Sequence, residues 1–406
     1  MKLYLQLAWR NLWRNKRRTL ISVSSVFFAV VLALLMRSMQ LGSYEYMIQN
    51  VVKLSTGYMQ IHADGYWDKR SIDLSFTFTD SMRGALAGVE YVSDVIPRLQ
   101  TFALAASHEV TRAAMVNGID PLLEDRMNGL EAKVIRGSYL DPHGRGALIS
   151  EGLGSHLGLD VGDTLVLYGQ GYHGIIAAGK YPVEGIVKFP TPEMNAASVY
   201  LALPTAQELY GMPGEVNSAS LMIDHPRHQA EVLERVKALV GDGYEVMGWD
   251  EMMPDVVQAI EVDNAGGILM LVILYVVIGF GVFGTVMMMT IERRKEFGVL
   301  MAVGMHRSRL ILTTLTETVF LSLIGVIAGA AASLPIMVYY AKNPIRLTGE
   351  LAEVMIRFGM DPILPLSMNP GIIGAQMLVV LLLAIISVSY PARVIMNLEP
   401  VKAMRA

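Results

Sequence analysis

"TIERRKEFGVLMAVGMHRSRLIL", Thr290 to Leu312, sets seven charged side chains and two glycines between two long apolar runs. An apolar run of about 20 residues can cross a bilayer as a helix, and four stretches qualify: 19–41, 266–291, 310–340 and 371–390. The third is longer than a perpendicular span needs, so it must tilt, kink or protrude. The quoted stretch then becomes a short cytoplasmic segment, 292–309, between the second and third spans. As a helix it aligns Phe297, Leu300 or Met301, and Gly304 along one stripe, with Glu292, Arg293, Lys295 and Glu296 near its start. Phe297, Val299, Leu300, Met301 and Val303 are too apolar for an exposed connector, so a covering partner is expected. The plainer alternative is a solvated loop whose arginines only orient the chain.

Composition agrees with a membrane protein. Of 406 residues, 53% are hydrophobic and 17% charged, against about 25% charged in soluble domains. Absence of cysteine excludes disulfides, thiolate metal sites and a cysteine nucleophile. Residues 1–18 hold Lys2, Arg10, Arg14, Lys16, Arg17 and Arg18 and no acid. With Arg293, Arg294, Lys295, Arg307 and Arg309, and with Arg393, Lys402 and Arg405 of the tail (391–406), they fall on one side of a four-span chain. Both termini are therefore expected in the cytoplasm. "LYLQLAWRNLWRNKRRT" reads as an amphipathic elbow helix within 1–18, with Leu5, Trp9, Leu12 and Trp13 toward lipid and Arg10 and Arg14 toward headgroups. The first apolar run reads as a retained anchor, since no A-x-A-like cleavage site follows it.

Residues 42–265 carry 15 Lys and Arg against 30 Asp and Glu and are expected outside as an α+β domain of two lobes on a stalk. "TLVLY" (164–168), "YPVEGIVKF" (181–189) and "ASVYLAL" (197–203) read as strands, and 130–200 as a β-rich lobe. "ALISEGLGSHLGLDVGDTLVLY" offers strand, short helix, turn and strand. "LPTAQELYG" and "HPRHQAEVLERVKALVG" read as helices, the latter with Val232, Val236 and Leu239 on one face. A short balanced loop, 341–370, returns outside. No metalloprotease, nucleophile-elbow or Walker A motif occurs, and His62, His108, His143 and His173 are scattered. "GFGVFG" (279–284) matches a dinucleotide fingerprint but lies in a span, where close helix packing is the better reading.

Within the spans, Gly325, Gly329 and Ser333 form a small-xxx-small ladder for helix packing, and Pro335 is placed to kink the outer end. Glu317 is an intramembrane carboxylate, open to a structural or a transport role.

"ERRKEFGVLMAVGMHRSRLILTTLTETVFLSLIGVIAG" resembles the signature of the MacB/FtsX-like ABC transporter permeases. Glu292, Arg293, Glu296, Gly298, Ala302, Gly304, Glu317, Gly325 and Gly329 fall on matching positions. "YPARVIMNLEPVKAMRA" resembles the family's closing pattern at Pro391, Ala392, Arg393, Pro400, Ala403 and Arg405. "SEGLGSHLGLDVGDTLVL" with the strands after it is similar to the periplasmic domain. The resemblance implies a four-span permease of a bacterial inner membrane with a large periplasmic domain between its first and second spans. It implies two permease chains, identical or paralogous, on two ABC ATPase subunits that carry the ATP and Mg, so this chain needs no cofactor and is not itself an enzyme. Glu292, Arg293, Glu296, Phe297, Gly298, Leu300 and Gly304 would then be the ATPase-coupling residues.

A free-standing chain of this size looks most like the lipoprotein-releasing permeases. For them a substrate cavity would be lined by Phe27, Phe28, Leu32, Ile273 and Val277, with a periplasmic carrier as receiver. Drug, peptide or toxin efflux through an adaptor, and substrate-free signalling to a cell-wall hydrolase, are the alternatives. Membrane lipid is an expected partner and nucleic acid is not. The link "GQGYHGIIAAGK" (169–180) is shorter than the hairpin of carrier-recruiting members.

Overall fold

The computed structural model describes residues 8–10, 12–14, 16–107, 110–189, 191–357, 362–400 and 403. Lys2, Leu5, His108, Lys402 and Arg405, named above, lie outside them. In chain order the helices used below are α1 (Lys16–Val51), α2 (Pro121–Asn128), α3 (Pro254–Glu292), α4 (Arg294–Ala302), α5 (Arg307–Lys342), α6 (Pro370–Ser387) and α7 (Ser389–Met396). Two compact units result: Met1–Tyr46, Ala259–Arg346 and Ile363–Ala406 form one, Met47–Gln258 and Leu347–Pro362 the other.

The first unit is all helical in its core. Among the described residues, four helical stretches are long and apolar enough to span a membrane: Thr19–Thr56, Pro254–Glu292, Arg307–Lys342 and Pro370–Met396. The first two helices overrun the apolar runs, so the sequence marked the lipid-length part and missed the polar ends. Val30 and Leu34 of α1, Val286 of α3, Val326 of α5 and Val380 of α6 meet in one apolar core. The glycine ladder sets the closest approach. A Cβ on Gly325 would lie 2.7 Å from Val26 Cβ, and one on Gly329 3.0 Å from the Phe27 carbonyl oxygen. Ser333, fully buried, returns its hydroxyl to the Gly329 carbonyl at 2.8 Å. α5 continues through Pro335 to Lys342. Of "GFGVFG", Gly279 lies against α6, a Cβ there falling 3.9 Å from a Leu383 methyl, whereas a Cβ on Gly281 or Gly284 would meet nothing within 4 Å.

The second unit is built on a ten-stranded mixed sheet. Its strands are β1 (Met59–Ala63), β3 (Val92–Ala106), β4 (Thr111–Ile119), β5 (Val134–Gly137), β6 (Ala147–Ser150), β7 (Thr164–Gln170), β8 (Ile176–Val187), β9 (Ser198–Ala202), β11 (Ser218–Ile223) and β12 (Tyr244–Gly248). The short β2 (Phe76–Thr77) and β10 (Glu215–Val216) pair apart from it. The order is β12-β1-β11-β3-β4-β9-β6-β8-β5, with β7 on β3 and β8. Antiparallel neighbours dominate, and β4–β9 and β6–β8 run parallel.

Alternation along each strand places one face in the core. Leu99 of β3, Val116 of β4, Ile149 of β6 and Leu167 of β7 are buried with Leu153 and Tyr210 from the helices Glu151–Leu157 and Leu203–Tyr210. The strands and helices read from sequence between 147 and 210 are present. β structure is not confined to 130–200, however, because β1, β3, β4, β11 and β12 lie outside that window. The helix Gln229–Val240 buries Val232 and Val236 but leaves Leu239 46% exposed. The 169–180 link is mostly strand: Gly169 pairs Ala177 and Gln170 pairs Ile176, which leaves only a tight turn. The loop 341–370 holds a helix, Glu350–Arg357, that the sequence did not suggest.

Candidate functional site

The segment between the second and third long helices folds as α4 plus two tight turns. Arg293 leaves helical geometry between α3 and α4, at φ −91° and ψ 10°. At the other end Gly304 takes φ +99°, a left-handed conformation that L side chains avoid. It lets the Met305 amide reach back to the Leu300 carbonyl at 2.9 Å. Gly304 is therefore a turn residue and not part of the stripe, and space around it is open.

Charge organises the start of α4. Arg293 Nη1 donates to both carboxylate oxygens of Glu317, at 2.8 and 2.7 Å, and its Nε donates to Glu296 at 3.2 Å. Arg14 donates to the other Glu296 oxygen. Four residues of alternating sign thus link the N-terminal segment, α4 and α5. The Glu317 side chain is 4% exposed and that of Arg293 14%. Burial opposes the charge on Arg293, but the Glu317 carboxylate and the hydrogen bonds to Glu317 and Glu296 outweigh it and raise its pKa. Glu296 is held below the usual carboxylate range, chiefly by the Arg14 hydrogen bond and then by Arg293, against a partial desolvation.

One face of α4 is covered by the chain itself. Phe297, 4% exposed, packs with Leu310, Ile395, Leu398 and Ala403, and the Arg293 guanidinium lies 5.2 Å from its ring. Gly298 is buried beside it. The tail is fixed there too, by Arg307 donating to the Leu398 carbonyl at 3.2 Å. The covering expected for Phe297 is thus internal. The rest of the segment is barer: Val299 is 51% and Leu300 37% exposed, and Val303, just past the end of α4, 83%. A cleft of about 570 Å³ runs along α4 between Arg14, Glu296, Leu300 and Leu310. Glu292 ends α3 on an exposed surface.

The N-terminal segment shares in this site. Residues 8–10 and 12–14 are helical, with Ala8 and Leu12 buried and Trp9 and Trp13 about half exposed. Trp9 packs edge-on to Trp13 and to Phe320 of α5, at 5.9 and 6.1 Å between centroids. Arg14, assigned from sequence to headgroups, is instead engaged with Glu296.

A second polar network was missed by the sequence reading. At the other end of the first two long helices, Arg37 donates to Gln40 and to Asn264 Oδ1 at 2.6 and 2.8 Å, and Tyr44 donates to Asp263 at 2.6 Å. Ser38 donates to the Ser367 carbonyl at 2.6 Å, and Gly42 leaves room for the Pro365 carbonyl. Arg37 follows an apolar run and Asp263–Asn264 precede one, which was the available signal. The proposed cavity residues Phe28, Leu32, Ile273 and Val277 are each more than half exposed in the single chain, with Phe27 packed edge-on to Phe28 at 5.1 Å. Among the described residues no cluster of His, Asp or Glu could hold a metal.

Comparison with known proteins places both units. Residues 19–239 match the family model described as MacB-like periplasmic core domain, and 268–400 that described as FtsX-like permease C-terminal. A lipoprotein-releasing system transmembrane protein, LolC, of Neisseria meningitidis serogroup B is 21% identical, over 95% of this chain and 94% of its own length. A macrolide export ATP-binding/permease protein, MacB, of Agrobacterium fabrum is 22% identical over 98% of this chain but 60% of its own. An uncharacterized ABC transporter permease, YknZ, of Bacillus subtilis is 25% identical over 62% of this chain and 64% of its own. The chain thus spans nearly all of the first and about three-fifths of the other two.

Proposed function

Because the chain belongs to the family of ABC transporter permeases that join a MacB-like periplasmic core domain to an FtsX-like C-terminal region, we propose that it is the membrane subunit of a complex whose ATP hydrolysis occurs on separate subunits. The observation that carries this reading is the two-faced α4. Its Phe297 face and its Arg293 are fastened to α5 and the tail, while Val299, Leu300 and Val303 stay bare. A short apolar face framed by Arg293, Lys295 and Glu296 suits a soluble partner, and the fastening would transmit its motion into the third span. Glu317 then has a structural role, as the anchor of that fastening.

Two permease chains, identical or paralogous, would flank the ATPases, with both termini cytoplasmic and the large domain periplasmic. The work done is release of lipoproteins, or extraction of a related lipid-linked substrate, from the inner membrane. End-to-end similarity to a lipoprotein-releasing subunit favours this. Acyl chains would lie against Phe27, Phe28, Leu32, Ile273 and Val277, and a periplasmic carrier would take the product. Efflux through an adaptor is the second reading, favoured by similarity to macrolide exporters.

Mass spectrometry of the complex purified gently from its native membrane tests the choice. An ATPase with an acylated lipoprotein supports release. An ATPase with a periplasmic adaptor supports efflux, and one with a cell-wall hydrolase means that no substrate is moved. An assembled preparation without any ATPase removes the coupling reading altogether.

A further inference from the structure

The second unit contains a fully buried ion pair that no part of the permease reading uses. Arg98 of β3 is 2% exposed, as is Glu124 of α2. The guanidinium meets the carboxylate with two nitrogens, Nε at 2.9 Å from one oxygen and Nη2 at 2.7 Å from the other. This fork is the strongest geometry available to the pair. Glu124 is held in turn by Asn128 at 2.6 Å. The helix carrying it is capped by Asp120, whose carboxylate accepts from the Leu122 and Leu123 amides.

The remaining guanidinium nitrogen points elsewhere. Arg98 Nη1 donates to the carbonyl of Ser55, and lies 3.3 Å from the Ser220 hydroxyl. Ser55 sits in the wide turn Val52–Thr56 that ends the first long helix. Carbonyls at a helix C-terminus lack intrahelical donors and carry the negative end of the helix dipole, so a buried cation is their strongest cap. One side chain therefore holds both the end of α1 and the Glu124 carboxylate.

Its position in the sheet gives that grip its reach. Arg98 is the residue of β3 at which the pairing with β11 meets the pairing with β4, opposite Ser218 and Ile119. Toward Val92 the strand is paired with β11; toward Ala106 it is paired with β4 and, from Leu104, with β7. A displacement applied at Arg98 enters both halves of the sheet. A polar side chain placed there for stability alone would be a poor choice, since a well-packed apolar pair is often as stable as a buried ion pair.

We infer that Arg98 is the positioning residue that delivers movement of the first long helix into the outer sheet, with Glu124 as its fixed counter-charge. The inference rests on the proposed permease reading for the source of that movement. It makes no demand on which substrate is handled.

The test uses the full chain in lipid nanodiscs, alone and assembled with its ATPase. Arg98→Ala risks unfolding, so the informative variant is Arg98→Met with Glu124→Met, which keeps volume and removes both charges together. Arg98→Lys is the conservative companion, able to reach the Ser55 carbonyl but not to fork on Glu124. In the chain alone, amide hydrogen exchange across 52–57 should quicken about tenfold or more in the double variant while β3 and β4 stay protected, and Arg98→Lys should recover part of it. Unchanged protection at 52–57 overturns the inference whatever the ATPase does. In the assembled complex, the double variant should keep its unfolding temperature and ATP hydrolysis but lose the ATP-dependent distance change between spin labels on the outer domain. A distance change equal to that of the parent chain also overturns it. A parent chain that shows no ATP-dependent change overturns the permease reading instead, and the exchange result still decides whether Arg98 holds the helix end.

Discussion

Arg293 reaches across 24 positions of sequence to close on both carboxylate oxygens of Glu317, at 2.8 and 2.7 Å. The pair joins the turn before α4 to the third long helix. Removing either member leaves a charge with little water to solvate it, so the contact behaves as a rigid link more than as a source of net stability.

Separate Arg293→Met and Glu317→Leu replacements should each cost about 3–5 kcal/mol, while the double replacement should cost less than the sum. Denaturant unfolding in detergent gives the three values. Additive losses would mean that the two residues act independently.

The glycines of the spans divide into two classes. Gly325→Ala should destabilise by about 1–3 kcal/mol, since its methyl would press on Val26. Gly281→Ala should change the isolated chain by no more than about 0.5 kcal/mol, because that position faces open space. Thermal unfolding of both variants decides it, and equal losses would show that Gly281 is packed after all.

His62 predicts a pH dependence in the second unit. It is 1% exposed and its Nδ1 donates to the Asn217 carbonyl at 2.9 Å. Burial first, with Arg70 adding and the Asn217 bond opposing, lowers its pKa from 6.5 to about 4. Between these values the unfolded chain binds a proton that the folded chain does not. Stability is therefore full above pH 6.5 and falls as pH drops toward 4, by about 3 kcal/mol in all. A His62→Gln variant should lack this slope between pH 6.5 and 5, where most carboxylates remain ionised. An unaltered slope would assign it to another group.

A charge at Val277 tests the proposed cavity. Val277→Asp should leave ATPase assembly intact and reduce lipoprotein release by at least tenfold, measured with reconstituted complex. Release at the parent rate would remove the cavity from this face.

The sequence exposed the features that repeat or run long. Four apolar runs, the strands between Ala147 and Ala202 and the Gly325–Gly329–Ser333 ladder are local patterns, and each appears as an element or a contact. The partners of charges were hidden, because Arg14 and Glu296 are 282 positions apart and nothing local connects them. Arg98 was misleading in another way: within "IPRLQ" it looks like the water-facing member of an alternating strand, and the helix 121–128 and the turn 52–56 that meet its guanidinium are remote in sequence. Gly304 fitted a helical stripe by spacing alone, yet its positive φ belongs to a turn. Leu239 matched the helix period and is still 46% exposed, while Val232 and Val236 are buried.

The bare face of α4 gives the most direct measurement. The chain has no cysteine, so Val303→Cys and Val299→Cys each provide one thiol, and Leu239→Cys provides an exposed control on the other unit. Each variant would carry a thiol-linked photocrosslinker in native membranes with its ATPase present. The account predicts cross-links to the ATPase from positions 299 and 303 and none from 239. No ATPase cross-link from α4 in an assembled complex, or one equally strong from Leu239→Cys, would contradict it.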